Sequence, residues 1–117
     1  MVENTYIQQI KAKLSEMDPY LILLFGSYAN GTPNDDSDID LIVVTNDKFI
    51  PKNFTEKNKI FLRVSRKIRH INLQIAIDLL VYTIPMYENF IKQNSSFAQE
   101  ILEKGKVIYE RHNKTMD

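Results

Sequence analysis

The residues of this sequence that could do chemistry are a Gly-Ser pair and two closely spaced aspartates. Gly26 and Ser27 follow an apolar run, and Asp38 and Asp40 open a second apolar run ten residues later. Residues two apart in a β-strand point to the same face, so the two carboxylates would lie side by side. Because such a pair repels and is costly to desolvate, a divalent cation would stabilise it. The Gly-Ser turn offers backbone N–H groups and a hydroxyl to a phosphate. The pattern predicts a metal–nucleotide site.

A third carboxylate, Asp78, interrupts the apolar run over residues 75–82. An unpaired ionised aspartate inside a buried strand is costly. The ordinary alternative is that each aspartate pairs with a basic residue or caps a turn. Three aspartates, two of them beside a Gly-Ser turn, favour a shared site instead. We therefore interpret Asp38, Asp40 and Asp78 as one group.

Two better-known motifs, the EF-hand loop and the Walker A loop, are excluded by the residues at their defining positions. Asp36, Asp38 and Asp40 have the spacing that opens an EF-hand loop, but Leu41 stands where that loop requires glycine, and Asp47 replaces its final glutamate. The Gly-Ser turn is not a Walker A loop either, because no Gly-Lys-Ser/Thr sequence follows it.

The spacing of apolar residues predicts helices that alternate with strands around one sheet. Helices are expected over residues 3–17, 56–72, 86–93 and 96–103, and strands over residues 21–25, 38–44, 74–82 and 106–110. Ser27 is expected to cap a short helical turn that Gly31 and Pro33 end, and residues 34–36 are expected to form a turn. The predicted fold is a single α/β domain over residues 1–117, with a mixed β-sheet and helices packed mainly on one face.

Composition limits the class of protein. The chain has 117 residues, of which 44% are hydrophobic and 26% charged, typical of one globular domain. Its 15 basic and 15 acidic residues give zero net charge, so no direct nucleic-acid binding is expected. The absence of cysteine excludes disulfides and thiolate catalysis. Since no signal peptide or membrane-length apolar run is visible, a soluble, cytoplasmic protein that does not bind membranes is expected.

Two further groups of residues have ordinary structural interpretations. Basic residues recur at helical spacing opposite an apolar stripe, which favours a solvated face over docking to an acidic partner or RNA: Lys59, Arg63, Arg66, Lys67 and His70. Four tyrosines could stack on a base, although packing in the core is more usual: Tyr28, Tyr82, Tyr87 and Tyr109. Tyr28 is the tyrosine to consider for contact with a base, because it directly follows the Gly-Ser turn. The distant His70 and His112 are not convincing metal ligands.

The combination of motifs resembles the DNA polymerase β-type nucleotidyltransferase superfamily. It is most similar to the minimal nucleotidyltransferase (MNT) branch, often encoded beside HEPN-domain proteins as a toxin–antitoxin pair. The resemblance rests on Phe25-Gly26-Ser27-Tyr28-Ala29-x-Gly31, on Ser37-Asp38-Ile39-Asp40-Leu41, on Asp78, and on the tail from Phe97 through Gly105 to Tyr109. Asn30 departs from the pattern, because many relatives have arginine there, and this removes a cation near the triphosphate.

The resemblance implies a nucleotidyltransferase fold and a role for each motif. Gly26, Ser27 and Tyr28 would bind the nucleotide, ATP or another nucleoside triphosphate. Asp38, Asp40 and Asp78 would be the catalytic residues and would hold Mg²⁺, as two ions. The expected reaction moves a nucleoside monophosphate, AMP, to a hydroxyl.

The acceptor must come from another molecule, since the residues after Asp78 are too few for an acceptor-binding domain. The resemblance implies a HEPN toxin whose tyrosine receives AMP, which would make this chain an antitoxin. Two alternatives stay open: an antitoxin that only binds its toxin, and a small-molecule nucleotidyltransferase of the antibiotic-modifying type. Either a homo-oligomer or a hetero-oligomer is compatible with the sequence.

Overall fold

The computed structural model describes residues 5–33 and 37–111. Within these ranges the elements are, in chain order, α1 (Thr5–Ser15), β1 (Leu21–Phe25), α2 (Ser27–Asn30), β2 (Ile39–Val44), α3 (Phe54–Ser65), α4 (Arg69–Asn72), β3 (Ile77–Tyr82), α5 (Ile84–Gln93), α6 (Ser96–Lys104) and β4 (Lys106–Glu110). One 3₁₀ turn, Arg66–Ile68, joins α3 to α4. No helix in the described ranges is both long and apolar enough to cross a bilayer.

The four strands form one mixed sheet in the order β3-β2-β1-β4. β1 runs antiparallel to both β2 and β4, whereas β2 and β3 are parallel. The parallel pair needs a crossover, and α3 and α4 provide it. The predicted single α/β domain with a mixed sheet is confirmed.

One face of the sheet, the first face, is covered by the longer helices. Ile10 and Leu14 of α1, together with Ile60 and Val64 of α3, belong to the same buried cluster as alternate strand residues. The strand members of this first-face cluster are Ile22, Leu24, Ile39, Leu41, Val43 and Val81. Most of the helical structure lies here, as the apolar periodicity predicts.

The opposite, second face is also covered in part. Leu21, Leu23, Ile42 and Val44 form a second buried cluster with Ile101 of α6, and α5 adds partly buried aromatic residues. The cause is visible in β1, where Leu21 to Phe25 are all apolar, so each face of the strand needs a covering layer. The sequence pattern placed helices mainly on one face and did not anticipate this second layer.

The boundaries of the crossover differ from the prediction. The α3 helix begins at Phe54 because the Asn53 side chain accepts a hydrogen bond from the N–H of Glu56. The strand predicted from residue 74 begins only at Ile77, since the N–H groups of Gln74 and Ile75 both donate to the carbonyl of Ile71. Residues 73–76 are therefore a turn that closes α4.

Two local predictions concern the segment after β1. Ser27 is the first helical residue of α2, and Gly26 occupies the cap position without a side-chain hydrogen bond, so the predicted Ser27 cap is wrong. Gly31 ends α2 in the left-handed conformation, as predicted. The turn predicted over residues 34–36 lies outside the described residues, as do residues 3 and 4 of the first predicted helix.

Candidate active site

Strand register brings two of the three aspartates together. Asp40 of β2 stands opposite Asp78 of the parallel strand β3 and, on its other side, opposite Phe25 of β1. Asp38 precedes Asp40 by two residues. Ile42 and Leu80, two residues further along each strand, pack in the second-face cluster. By strand alternation, the carboxylates therefore share the second face, at the end of the sheet where β1 finishes.

The Gly-Ser turn contacts this carboxylate group directly. Gly26 has φ 73° and ψ −156°, a conformation that L side chains rarely adopt. A Cβ atom at this position would lie 2.1 Å from Oδ2 of Asp40, far inside van der Waals contact. Glycine is required both by the backbone conformation and by the adjoining carboxylate.

The site has an excess of negative charge. Burial raises the pKa of Asp40, and the neighbouring carboxylates of Asp78 and Asp38 raise that pKa further. Asp40 is half-buried, while Asp38 and Asp78 are exposed. The charge repulsion shows that the three carboxylates interact, and that the cluster favours a proton or a cation.

Carboxylate oxygens are the ligands that Mg²⁺ prefers, so the donor set fits this ion. The Gly-Ser turn and the carboxylates adjoin each other, because Gly26 packs closely on Asp40. In the part of the chain that the structure describes, no three histidine or acidic side chains are gathered tightly enough to enclose an ion as they stand. Binding would require the exposed Asp38 and Asp78 side chains to turn toward Asp40.

A groove adjoins Gly26 on the side of α6. Asn30 of α2 lines one wall, and Phe97, Glu100 and Lys104 of α6 line the other. The ring of Phe97 packs edge-on against Phe25, with centroids 5.7 Å apart, which holds α6 beside the end of β1. Sequence reasoning missed this wall, because no local spacing in residues 96–104 indicates that they meet residues 25–30.

The four candidate tyrosines are not gathered at the site. Tyr82 and Tyr87 pack on Phe90 under the second face. Tyr109 donates a hydrogen bond to Asp18, at the opposite end of β1 from Gly26. Tyr28 follows the phosphate turn, and its half-buried side chain packs against the first-face cluster. Core packing is thus the finding for most of them, as expected.

The basic stripe lies on α3, the 3₁₀ turn and α4, over the first face. Two of its members form ion pairs: Arg63 with Asp47 at 2.5 Å, and Lys67 with Glu16 at 3.2 Å. Nearly half of each basic side chain in these two pairs is exposed to solvent. Asp36 and His112 lie outside the described residues.

Residues 8–114 match the family model described as polymerase beta, nucleotidyltransferase. This chain belongs to that nucleotidyltransferase family. Nucleotidyl transfer is therefore its reaction class, and the resemblance found in the motifs is confirmed. The nucleotidyltransferase is 29% identical over 110 residues to the "Putative protein adenylyltransferase MJ1305" of Methanocaldococcus jannaschii, spanning 94% of this chain and 71% of that protein.

Solved structures share the fold of this nucleotidyltransferase. A crystal structure of a toxin–antitoxin with AMP-PNP aligns with a TM-score of 0.57 at 23% identity, covering 95% of this chain and 77% of the other. A nucleotidyltransferase structure from Sulfolobus solfataricus aligns with a TM-score of 0.56 at 20% identity, covering 95% and 92%. At these identities the likeness concerns the fold alone.

Proposed function

We propose that this nucleotidyltransferase transfers AMP from ATP to a tyrosine hydroxyl of a partner HEPN toxin, and so acts as an antitoxin. The observation that supports the site most directly is the strand register. It aligns Asp40 with Asp78, while Gly26 packs on the same Asp40 carboxylate. Groups suited to a phosphate and groups suited to a cation thus adjoin one another.

In this proposal each residue has a defined role. Asp38, Asp40 and Asp78 would together hold two Mg²⁺ ions. The chemistry that Mg²⁺ supplies when bound is neutralisation of the phosphate charge. Gly26 and Ser27 would contact the β- and γ-phosphates through the backbone and the hydroxyl. Tyr28 would contact the nucleotide from its position directly after Ser27.

The transfer step forms one bond and breaks one. The acceptor oxygen attacks the α-phosphorus, and the bond from that phosphorus to the bridging oxygen breaks, so that pyrophosphate leaves. The proton of the acceptor hydroxyl passes to the Asp78 carboxylate. Asp78 is exposed, which leaves it accessible to a hydroxyl on another protein.

Two similarities support a protein as acceptor. The relative of Methanocaldococcus jannaschii is named a protein adenylyltransferase, and one solved structure with this fold is a toxin–antitoxin with AMP-PNP. The HEPN family and its tyrosine come from the sequence resemblance.

The test is to incubate the purified chain with α-labelled ATP, Mg²⁺ and the HEPN protein encoded beside it. We expect label on the toxin and a mass increase of one or more AMP units that maps to tyrosine. Replacing the labelled donor by GTP, CTP or UTP identifies the base that the site accepts. In a parallel reaction with an aminoglycoside in place of the HEPN protein, label on the aminoglycoside would favour the small-molecule alternative.

Two variants separate catalysis from binding. Asp38→Asn and Asp78→Asn should abolish transfer without unfolding the chain, because both side chains are exposed. Each variant should still form the complex with the toxin. Transfer retained by either purified variant would contradict the assigned roles. Neutralisation of the toxin by both variants, with no label transferred by the wild type, would favour the antitoxin that acts by binding alone.

A further inference from the structure

The groove beside Gly26 has walls from two elements that are far apart in the chain. On the α2 side, its polar member is Asn30, an uncharged amide. On the α6 side, it is lined by Glu100 and Lys104. Among the residues that the structure describes, Lys104 is therefore the one cation that lines this groove.

Acidic residues predominate around the Gly-Ser turn, so a cation in the groove would favour the binding of a triphosphate. Asp38, Asp40 and Asp78 are all acidic, and Glu100 adds another carboxylate in the groove. Without Lys104, the described lining of the groove would offer a triphosphate tail that continues past Gly26 only negative or neutral side chains. Lysine binds phosphate as a compact point charge, and such a charge-assisted contact is stronger than a neutral hydrogen bond.

The backbone fixes where Lys104 stands. The next residue, Gly105, donates its N–H to the carbonyl of Ile101, and a Cβ atom there would lie 2.5 Å from that oxygen. The same Cβ would lie 3.4 Å from the carbonyl of Leu24 in β1. The end of α6 is thus pressed against the strand that leads into the phosphate turn.

The lysine is also available. The ion pairs found among residues 5–33 and 37–111 do not include Lys104, although Glu100 is one helical turn away. Its position in the last turn of α6 is favourable for a cation because of the helix dipole. The helix dipole favours a lysine at this position, and the charge of that lysine lies at the groove.

We propose that Lys104 binds the terminal phosphates of the nucleoside triphosphate, across the groove from Asn30. The inference rests on the proposed function in taking a nucleoside triphosphate as the donor. It gives α6 a role in substrate affinity, whereas the sequence motifs assign nucleotide binding to Gly26, Ser27 and Tyr28 alone.

The test compares nucleotide affinities by calorimetry, in Mg²⁺ and without acceptor. Lys104→Gln should weaken ATP binding about tenfold, the loss expected for one charge-assisted contact. It should leave AMP binding unchanged, because AMP has no β- or γ-phosphate. Inorganic tripolyphosphate should compete with ATP for the wild type and about tenfold less well for Lys104→Gln.

Three further variants serve as controls. Lys106→Gln makes the same change in net charge two residues away, but Lys106 pairs with Leu24, whose side chain lies in the first-face cluster. It should bind ATP like the wild type. Lys104→Arg should retain the affinity for ATP. Adding Asn30→Arg to the Lys104→Gln variant should restore ATP affinity, because the new cation lies on the opposite wall of the groove. In transfer assays, Lys104→Gln should raise KM for ATP more than it lowers kcat.

The outcomes distinguish the two proposals. Equal ATP affinities of Lys104→Gln and Lys106→Gln would overturn the role of Lys104 and leave the proposed transfer intact. Equal losses for ATP and AMP would overturn it as well, since they would indicate a contact with the base or ribose. ATP binding that depends on Lys104, in a chain that labels no protein, would support the phosphate contact and contradict the proposed acceptor.

Discussion

Gly26 and Asp40 are in such close contact that a single methyl group on the glycine would overlap the carboxylate. A Cβ atom on residue 26 would lie 2.1 Å from Oδ2 of Asp40 and 3.1 Å from its Cγ. The contact joins the end of β1 to the start of β2, the two strand ends that bear the Gly-Ser turn and the aspartate pair. Each motif therefore limits the position of the other, and a change at residue 26 acts on the carboxylate beside it.

The two positive-φ glycines offer a matched pair of substitutions. Gly26→Ala should abolish nucleotidyl transfer, because the new methyl group displaces the Asp40 carboxylate. Gly31 also has positive φ, but a Cβ there meets no atom within 4 Å. Gly31→Ala should cost about 1 to 2 kcal/mol of stability from left-handed strain and retain transfer. Transfer rates and urea unfolding of both variants check this. If Gly26→Ala and Gly31→Ala were equally active at equal folded fractions, the proposed importance of the contact between Gly26 and Asp40 would be contradicted.

Asp40 should destabilise the metal-free protein at neutral pH. Burial raises its pKa, and Asp78 and Asp38 raise it further, so the folded state disfavours the ionised form. This loss of folding stability is fully present above the raised pKa of Asp40 in the folded state. It disappears as pH falls below the pKa of the unfolded chain, about 3.9. Asp40→Asn should therefore be more stable than the wild type at neutral pH and lose that advantage in acid. Thermal unfolding in chelator, across this pH range, measures the difference, and transfer by the variant should be absent.

Asp47 should behave in the opposite way. Burial alone would raise its pKa, but hydrogen bonds from Thr45 and Arg63, with the Arg63 charge, outweigh burial and lower that pKa. Oδ2 of Asp47 accepts from the Thr45 hydroxyl at 2.6 Å and from Arg63 at 2.5 Å. This stabilisation is present above the unfolded pKa and is lost as pH falls through the lowered folded pKa.

Asp47→Asn should accordingly lower stability at neutral pH, with the deficit shrinking in acid. The exposed half of Arg63 makes part of the effect sensitive to salt. Unfolding by urea at neutral and acidic pH tests the sign. A variant that gains stability at neutral pH, as Asp40→Asn is expected to do, would show that the contacts of Thr45 and Arg63 do not offset the burial of Asp47.

The sequence predicted the carboxylate group, although only part of its geometry is local. The i, i+2 spacing places Asp38 and Asp40 on one face. The alignment of Asp40 with Asp78 comes from the parallel pairing of β2 and β3, which the helical crossover between them makes possible; the sequence predicted a mixed sheet but not this pairing. The start of β3 was placed too early, because the hydrogen bonds of Gln74 and Ile75 to Ile71 leave no signature in apolar spacing.

The wall formed by α6 could not be predicted in this way. Its position depends on Phe97 packing against Phe25 and Phe90, at 5.7 Å in each case, and on the close approach of Gly105 to Leu24. Phe25 and Phe97, for example, are more than seventy positions apart in the chain. Nothing in the amphipathic pattern of α6 specifies which end of the sheet it covers.

The basic stripe on the first face should have no part in transfer. Asp40 and Asp78 lie on the second face of the sheet, while α3 packs on the first. Lys59 and Arg66 are exposed and are not in the ion pairs found among the described residues. Lys59→Glu with Arg66→Glu should change stability by about 0.5 kcal/mol or less and leave transfer to the proposed toxin acceptor unchanged.

The measurement that decides this is binding to the proposed toxin partner as a function of salt, for the double variant and for the wild type. Unchanged affinity and an unchanged salt slope would support a solvated face. A weaker complex with a shallower salt slope would instead show that the toxin presents an acidic surface to α3. In that case the toxin would contact both faces of the sheet, since its acceptor hydroxyl must still reach Asp78.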